Sequence, residues 1–284
     1  MPERSPTLRR RELAGRLREL RKQAGFTVEQ VAAQMLCSPP KISRIETATR
    51  PASLRDVRDF CNIYGVDDAE RSRLMDLARG AKEQGWWHKF DDLAIESLIG
   101  LEVEAKKITS YESSVVPWAF QTEDYARAVI KGFLPNIEDR ILNERVTARM
   151  TRQELLRSAD APQLWSLIDE AALRRAVGGN RVMREQMAKI IDVAASPKVT
   201  MQVVPFEAGA HPAVDNTFTL LEFNNNTVLS PVVFVENLAG TFYLERDAEI
   251  QRFQEVLDYL KAYALSPEKS IRPVEEAKRK FESD

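Results

Sequence analysis

Through the first eighty residues apolar positions recur three and four apart, in short bursts that each end at a breaker. Leu13, Leu17, Leu20 and Ala24 form the stripe of a first helix, and Gly25 supplies the left-handed conformation that ends it. Thr27, followed three residues later by Gln30, is a capping box that opens a second helix through Val31, Ala32 and Met35. Ser38 stands as the cap of a third. Pro39 and Pro40 occupy its first turn, where a missing N–H has no intrahelical partner to lose, and the helix runs on through Glu46. Arg50-Pro51 marks a loop. Ser53 caps a fourth helix with Leu54, Val57, Phe60 and Cys61 on one side, and Asp67 or Asp68 starts a fifth with Leu74, Leu77 and Ala78. The pattern predicts an all-α unit of five short helices over residues 8–80.

A polar stretch, Ala81-Lys82-Glu83-Gln84-Gly85, then leads into Trp86-Trp87, so residues 81–90 read as a linker and the Trp pair as a packing clamp. From Asp91 to about Arg157 the pattern is helical, broken at Pro117 and Pro135. Beyond about 160 it becomes mixed. Leu164–Ile168 and Val199–Val204 read as strands with helices at 170–177 and 181–195 between them, and Phe218–Phe223, Val232–Val235 and Thr241–Leu244 are further strand candidates. A long helix over 247–264 carries Ile250, Phe253, Val256, Leu257, Leu260 and Ala264 on one stripe, a surface suited to self-association. Residues 91–270 are therefore expected to form an α+β domain, helical in its first part. Residues 271–284 read as a charged tail that frays.

Composition narrows the classes. A chain of 284 residues is too long for one small module and fits two folded units. Residues 1–50 carry 11 Lys and Arg against 5 Asp and Glu, whereas the remainder carries 30 against 38. A basic first part followed by an acidic remainder is the asymmetry expected when one end meets phosphate. Two cysteines, Cys37 and Cys61, are too few for a disulfide framework or a zinc site, and His88 and His211 each stand without a second His or Cys nearby. No metal and no cofactor are expected. The sparse histidines and the missing Gly-rich phosphate loop weigh against an enzyme, including one that would use Glu170 or Asp169 with His211. With no apolar run of membrane-spanning length and no secretory signal, a cytoplasmic location is expected.

At about 100° per residue, Ile42 and Ile45 point one way on the third helix while Pro40, Arg44 and Thr47 point the other, flanked by Lys41 and Ser43. A short helix of this kind, behind another short helix and a tight turn, is built to enter a major groove. Arg44 is the first choice for base readout, since a guanidinium can bond both O6 and N7 of guanine. Lys41 and Arg50 read as phosphate contacts, and Thr27 offers a hydroxyl and nearby N–H groups to another phosphate. Pro39 and Pro40 have only apolar contact to give, for instance to a thymine methyl.

The run Gln30-Val31-Ala32, then Ser38, then Ile42-Ser43-Arg44-Ile45-Glu46 resembles the XRE/Cro helix-turn-helix family. That resemblance implies a unit that binds double-stranded DNA, with Ser38, Pro39, Pro40, Lys41, Ser43 and Arg44 near bases or phosphates. It also implies a buried salt bridge between Arg21 and Glu46. One departure stands out: Leu36 replaces the family's turn glycine, which would strain a positive φ.

The second half resembles the C-terminal domain of antitoxin-like XRE regulators of sporulating filamentous bacteria. The matching segments are Val116-Pro117 with Gln121–Arg127, Arg149–Leu156, Asp169–Arg175, Val204–Pro212 and Ala264–Ser270, while Trp118-Ala119-Phe120 depart from the small apolar pattern. The resemblance implies a regulator encoded beside a small partner protein. Arg149, Arg152 and Gln153, on neighbouring helical turns, read either as a grip for a carboxylate or phosphate or as a structural ion-pair network. His211 reads as a pocket wall or an exposed loop residue. The functional expectation is a homodimeric regulator of a palindromic operator with a partner- or ligand-sensing second domain. The alternative is an antitoxin that neutralises its partner and autoregulates its operon.

Overall fold

The computed structural model of the chain describes residues 5–83, 85–89, 96–224 and 230–283. The reading of Gln84 as linker and of Asp91–Ile95 as helix lies outside them. Two compact units are present: Met1–His88 forms the bulk of one, and Lys89–Glu222 with Ser230–Asp284 forms the other.

The first unit holds α1 (Pro6–Gln23), α2 (Val28–Gln34), α3 (Pro39–Glu46), α4 (Leu54–Tyr64) and α5 (Asp68–Gly80). Each boundary has a local cause. Thr27 and Gln30 make both bonds of the capping box, Ser53 and Asp56 make another, Asp67 caps α5, and Gly65 ends α4 at φ 65°. Leu13, Leu17, Leu20, Val31, Ile42, Ile45, Val57, Phe60 and Leu74 meet in one buried cluster, so every helix gives its apolar stripe to the same core. Two ion pairs, Arg16–Glu70 at 2.5 Å and Arg73–Glu12 at 3.0 Å, tie α1 to α5. Trp87 is buried and Trp86 stands edge-on against it at 5.8 Å between ring centroids.

The second unit opens with α6 (Glu96–Glu102) and then β1 (Lys107–Glu112), followed by α7 (Glu123–Phe133) and α8 (Asp139–Gln153). There follow β2 (Gln163–Asp169), α9 (Glu170–Arg174), α10 (Asn180–Ala194), β3 (Val199–Val204), β4 (Phe218–Glu222), β5 (Val232–Asn237), β6 (Gly240–Leu244), α11 (Asp247–Tyr263) and α12 (Ile271–Ser283). Among the described residues the strands make one mixed sheet in the order β3-β2-β1-β4-β5-β6. β1, β2 and β3 run parallel through helical crossovers, whereas β4, β5 and β6 form an antiparallel meander. The α+β class is therefore the observed one.

Three expectations change here. A strand, β1, interrupts the stretch read as helical and sits at the centre of the sheet. Its apolar alternation is masked because Thr109 and Ser110 are buried polar residues, Ser110 bonding Ser166 of β2 at 3.0 Å. The charged tail does not fray: it forms α12, because Val274, Ala277 and Phe281 recur at helical spacing and are buried beneath the Lys and Arg that dominate the composition. The stripe on α11 is not a free surface either. Ile250, Leu257 and Leu260 pack with Tyr111, Leu167, Phe218 and Val233 on one face of the sheet, so this helix completes the chain's own core.

Candidate nucleic-acid interface

α2 ends at Gln34 with Met35 as its C-cap, and the turn passes through Leu36 at φ 50°, a residue 93% exposed. The backbone follows the glycine conformation without the glycine. The N–H of Cys37 bonds the carbonyl of Ala32 at 2.9 Å and closes the turn, while the leucine side chain gains no packing there.

Ser38 occupies the cap position of α3, yet its hydroxyl makes no cap bond. The reason is Pro40, which has no N–H at the second helical position; the next donor, Lys41 N–H, goes to the Ser38 carbonyl at 2.9 Å. The helix buries Ile42 and Ile45 and leaves Pro39, Pro40, Ser43, Arg44 and Thr47 exposed on the opposite side, with Arg50 exposed just beyond its end. Arg44 lies against its own helix, its Nε donating to the Pro40 carbonyl at 3.2 Å, which leaves the outer guanidinium nitrogens facing outward. Thr47 donates back to the Ser43 carbonyl at 2.9 Å. Thr27 is exposed at the start of α2, its hydroxyl accepting from Gln30 N–H.

Lys41, expected at a phosphate, has a partner within the unit. Its Nζ pairs with Asp56 Oδ1 at 2.5 Å, fastening α3 to the start of α4. Burial raises the Asp56 carboxyl, but the bonds from Lys41 and Ser53 outweigh it and hold the group below its ordinary value. Lys41 therefore braces the helix in the free protein. The Ser53 capping box was the sequence signal for Asp56, since the carboxylate that accepts Ser53 N–H at 3.0 Å also receives the lysine.

Arg21 and Glu46 form a fork-to-fork pair, Nε to Oε1 at 2.7 Å and Nη2 to Oε2 at 2.9 Å. The remaining guanidinium nitrogen donates to the Phe26 carbonyl at 2.9 Å. One side chain thus joins α1, the loop before α2 and the last residue of α3. Both partners are largely shielded, Glu46 keeping 4% of its side-chain exposure.

The second-unit candidates separate. Arg152 lies in a buried fork with Glu102 of α6, its Nε 2.5 Å from Oε2, and stacks on the Trp118 ring at 4.0 Å. Gln153 donates to the carbonyls of Trp118 and Gln121, both at 2.8 Å. These two side chains hold α8 to its neighbours. Among the described residues Arg149 makes a single hydrogen bond, to Gln121 Oε1 at 2.9 Å. His211 is far from exposed: its ring is buried edge-on against Tyr111, with Nε2 3.4 Å from the tyrosine hydroxyl and 3.7 Å from Asp169 Oδ2. Tyr111 donates to that carboxylate at 3.1 Å, while the other oxygen of Asp169 caps α9. Glu102 and Tyr111 were missed because each partner lies far along the chain.

Free thiols Cys37 and Cys61 stay unpaired, Cys61 buried and its pKa raised by that burial. Among the described residues no three His, Cys, Asp or Glu side chains gather as metal ligands, and no helix is long and apolar enough to cross a membrane.

Residues 12–74 match the family described as a helix-turn-helix domain. With α3 presented as above, the fold and site define a DNA-binding transcription regulator of the XRE-like kind. The second unit places it further: residues 95–276 match the domain of unknown function DUF5753, and the chain belongs to that family. No curated protein and no solved structure matches the chain.

Proposed function

We propose that the chain is a cytoplasmic homodimer that reads a palindromic operator through α3 and whose second unit dimerises and receives a signal. The observation that carries the reading is the two-sided helix α3: Ile42 and Ile45 anchor it, the Arg21–Glu46 fork fixes its end, and Arg44 stands on the open side. In this reading Arg44 reads a base, Arg50 and Thr27 meet phosphates, and Pro39 and Pro40 touch a thymine methyl. No reaction is assigned to the chain. Asp169 and His211 do come together, but inside a buried cluster with Tyr111, and one Asp169 oxygen is committed to a helix cap. An antitoxin role would keep the same DNA face, with exposed Phe133 and Leu134 on the second unit favouring a protein contact there.

Arg44→Ala is expected to leave the fold intact and to remove about 1–3 kcal/mol of discrimination between operator and unrelated DNA. Gel shifts on both DNAs check it; an unchanged preference takes Arg44 out of the readout.

The full chain is expected to sediment as a dimer and residues 5–88 alone as a monomer with weaker operator binding. A single recognition helix covers too few base pairs, whereas two helices about 34 Å apart read a palindrome. The apolar stripes of the first unit all enter its own core. In the second unit one sheet edge, β3, is covered where Leu265 N–H and Ser270 bond Val203, while β6 ends the other side and leaves Phe242 43% exposed. A dimeric fragment with the same footprint would move the interface into the wrong unit.

A further inference from the structure

The exposed side of α3 holds few uncommitted donors. Pro39 and Pro40 fill its first turn with ring carbons and no N–H, and both are exposed. Leu36, in the turn just ahead, is exposed as well. Lys41 is engaged by Asp56, and the Thr47 hydroxyl donates back to the Ser43 carbonyl. Polar contact on this face is left to the outer nitrogens of Arg44 and the hydroxyls of Ser38 and Ser43.

Pro40 and Arg44 stand one turn apart on a single stripe, since four residues advance a helix by about 400° and about 6 Å. The bond from Arg44 Nε to the Pro40 carbonyl, at 3.2 Å, draws the guanidinium back toward that turn. A charged fork and an apolar ring are thereby set side by side. In a major groove the fork is matched by O6 and N7 of guanine, and the ring by the methyl group on C5 of a pyrimidine. Thymine carries that methyl, and 5-methylcytosine carries it at the same place on the groove wall. Uracil and cytosine present only hydrogen there. Thymine and 5-methylcytosine differ in the exocyclic group, an acceptor in one and a donor in the other, but a proline bonds neither and the Ser38 hydroxyl suits both. The basic excess of the first fifty residues, with Arg44 and Arg50 exposed around the apolar patch, matches a phosphate-lined groove.

We infer that α3 reads the C5-methyl group of a pyrimidine beside a guanine, so that 5-methylcytosine serves in place of thymine and unmethylated cytosine does not. Groove entry by α3 is the operator reading proposed above, on which this rests; what is added is that sequence preference becomes sensitivity to cytosine methylation.

Duplexes recovered by the full chain from a random DNA pool, then resynthesised and titrated at one fixed salt concentration, test this. Each recovered half-site is expected to hold a thymine beside a guanine, and its absence overturns the assignment. Two comparisons then change a single methyl group per half-site: thymine against uracil opposite adenine, and 5-methylcytosine against cytosine opposite guanine. The methylated member of each pair is expected to bind about fourfold more tightly per half-site, the effect of one buried methyl group.

The double variant Pro39→Ser with Pro40→Ser should bring both ratios to unity and keep the preference for guanine. It gains an N–H that the Ser38 hydroxyl can cap, so its melting temperature should not fall. Wild-type ratios in this variant overturn the role of the prolines. Equal binding within both pairs by the wild-type chain overturns methyl reading, and leaves groove entry standing where Arg44→Ala still weakens operator preference. Recovery of no preferred duplex, or a preference that Arg44→Ala leaves unchanged, overturns the operator reading and methyl reading together.

Discussion

Glu102→Ala is expected to lower the melting temperature of the second unit by about 6–20 °C. Glu102 is fully buried, and its carboxylate is the counter-charge of Arg152, which stacks on Trp118 and cannot reach water without moving α8. Burial pushes the Glu102 carboxyl above its ordinary value and Arg152 offsets only part of that rise, so it is the two-point contact with the guanidinium that supports the charged pair. Removing one member leaves an unpaired buried ion, at a cost of about 3–5 kcal/mol, and a domain of this size shifts by about 2–4 °C per kcal/mol. The double variant Glu102→Ala with Arg152→Met removes both charges and should melt closer to wild type than the single change does. Calorimetric scanning of the three proteins decides it. A single variant that melts with wild type would show that Arg152 finds another partner.

Glu46→Ala is expected to loosen the first unit and, through it, DNA binding. The fork with Arg21 is shielded, and its loss strands a guanidinium whose other bond goes to the Phe26 carbonyl. We expect about 3 kcal/mol of destabilisation, at the low end for a broken buried pair because Arg21 retains 12% exposure. Since the pair ends α3, amide exchange should accelerate over Ile42–Glu46 and α1 together, and operator binding should weaken even though no DNA-facing side chain has changed. Glu46→Gln, which keeps one acceptor, should fall between. Wild-type exchange rates across α3 in Glu46→Ala would mean that Ile42 and Ile45 fix the helix unaided.

The two pairs were unequally legible. Arg21 and Glu46 are joined in the sequence only by resemblance to a known family, whereas nothing joins Glu102 to Arg152. The same holds within the candidate site. Arg44, Ser43 and Thr47 follow from helical spacing around Ile42 and Ile45, and the structure leaves them exposed as that spacing requires. Lys41 follows the same spacing but is drawn inward by Asp56, a partner set by how α4 docks.

What the sequence by itself determined is local: the capping box at Thr27, the cap at Ser53, the proline start of α3, the stop at Gly25, and the strands β2 to β6. Each depends on contacts within a few residues, so it can be read from the chain in order. Tertiary structure decided the rest. β1 is a strand because parallel and antiparallel neighbours on its two sides satisfy its backbone, although Thr109, Ser110 and Glu112 hide the alternation. α12 is ordered because α10 covers Val274, Ala277 and Phe281. His211 is buried and Arg152 is neutralised for one common reason: burial and charge pairing depend on which distant segments meet, and a linear pattern carries no record of that.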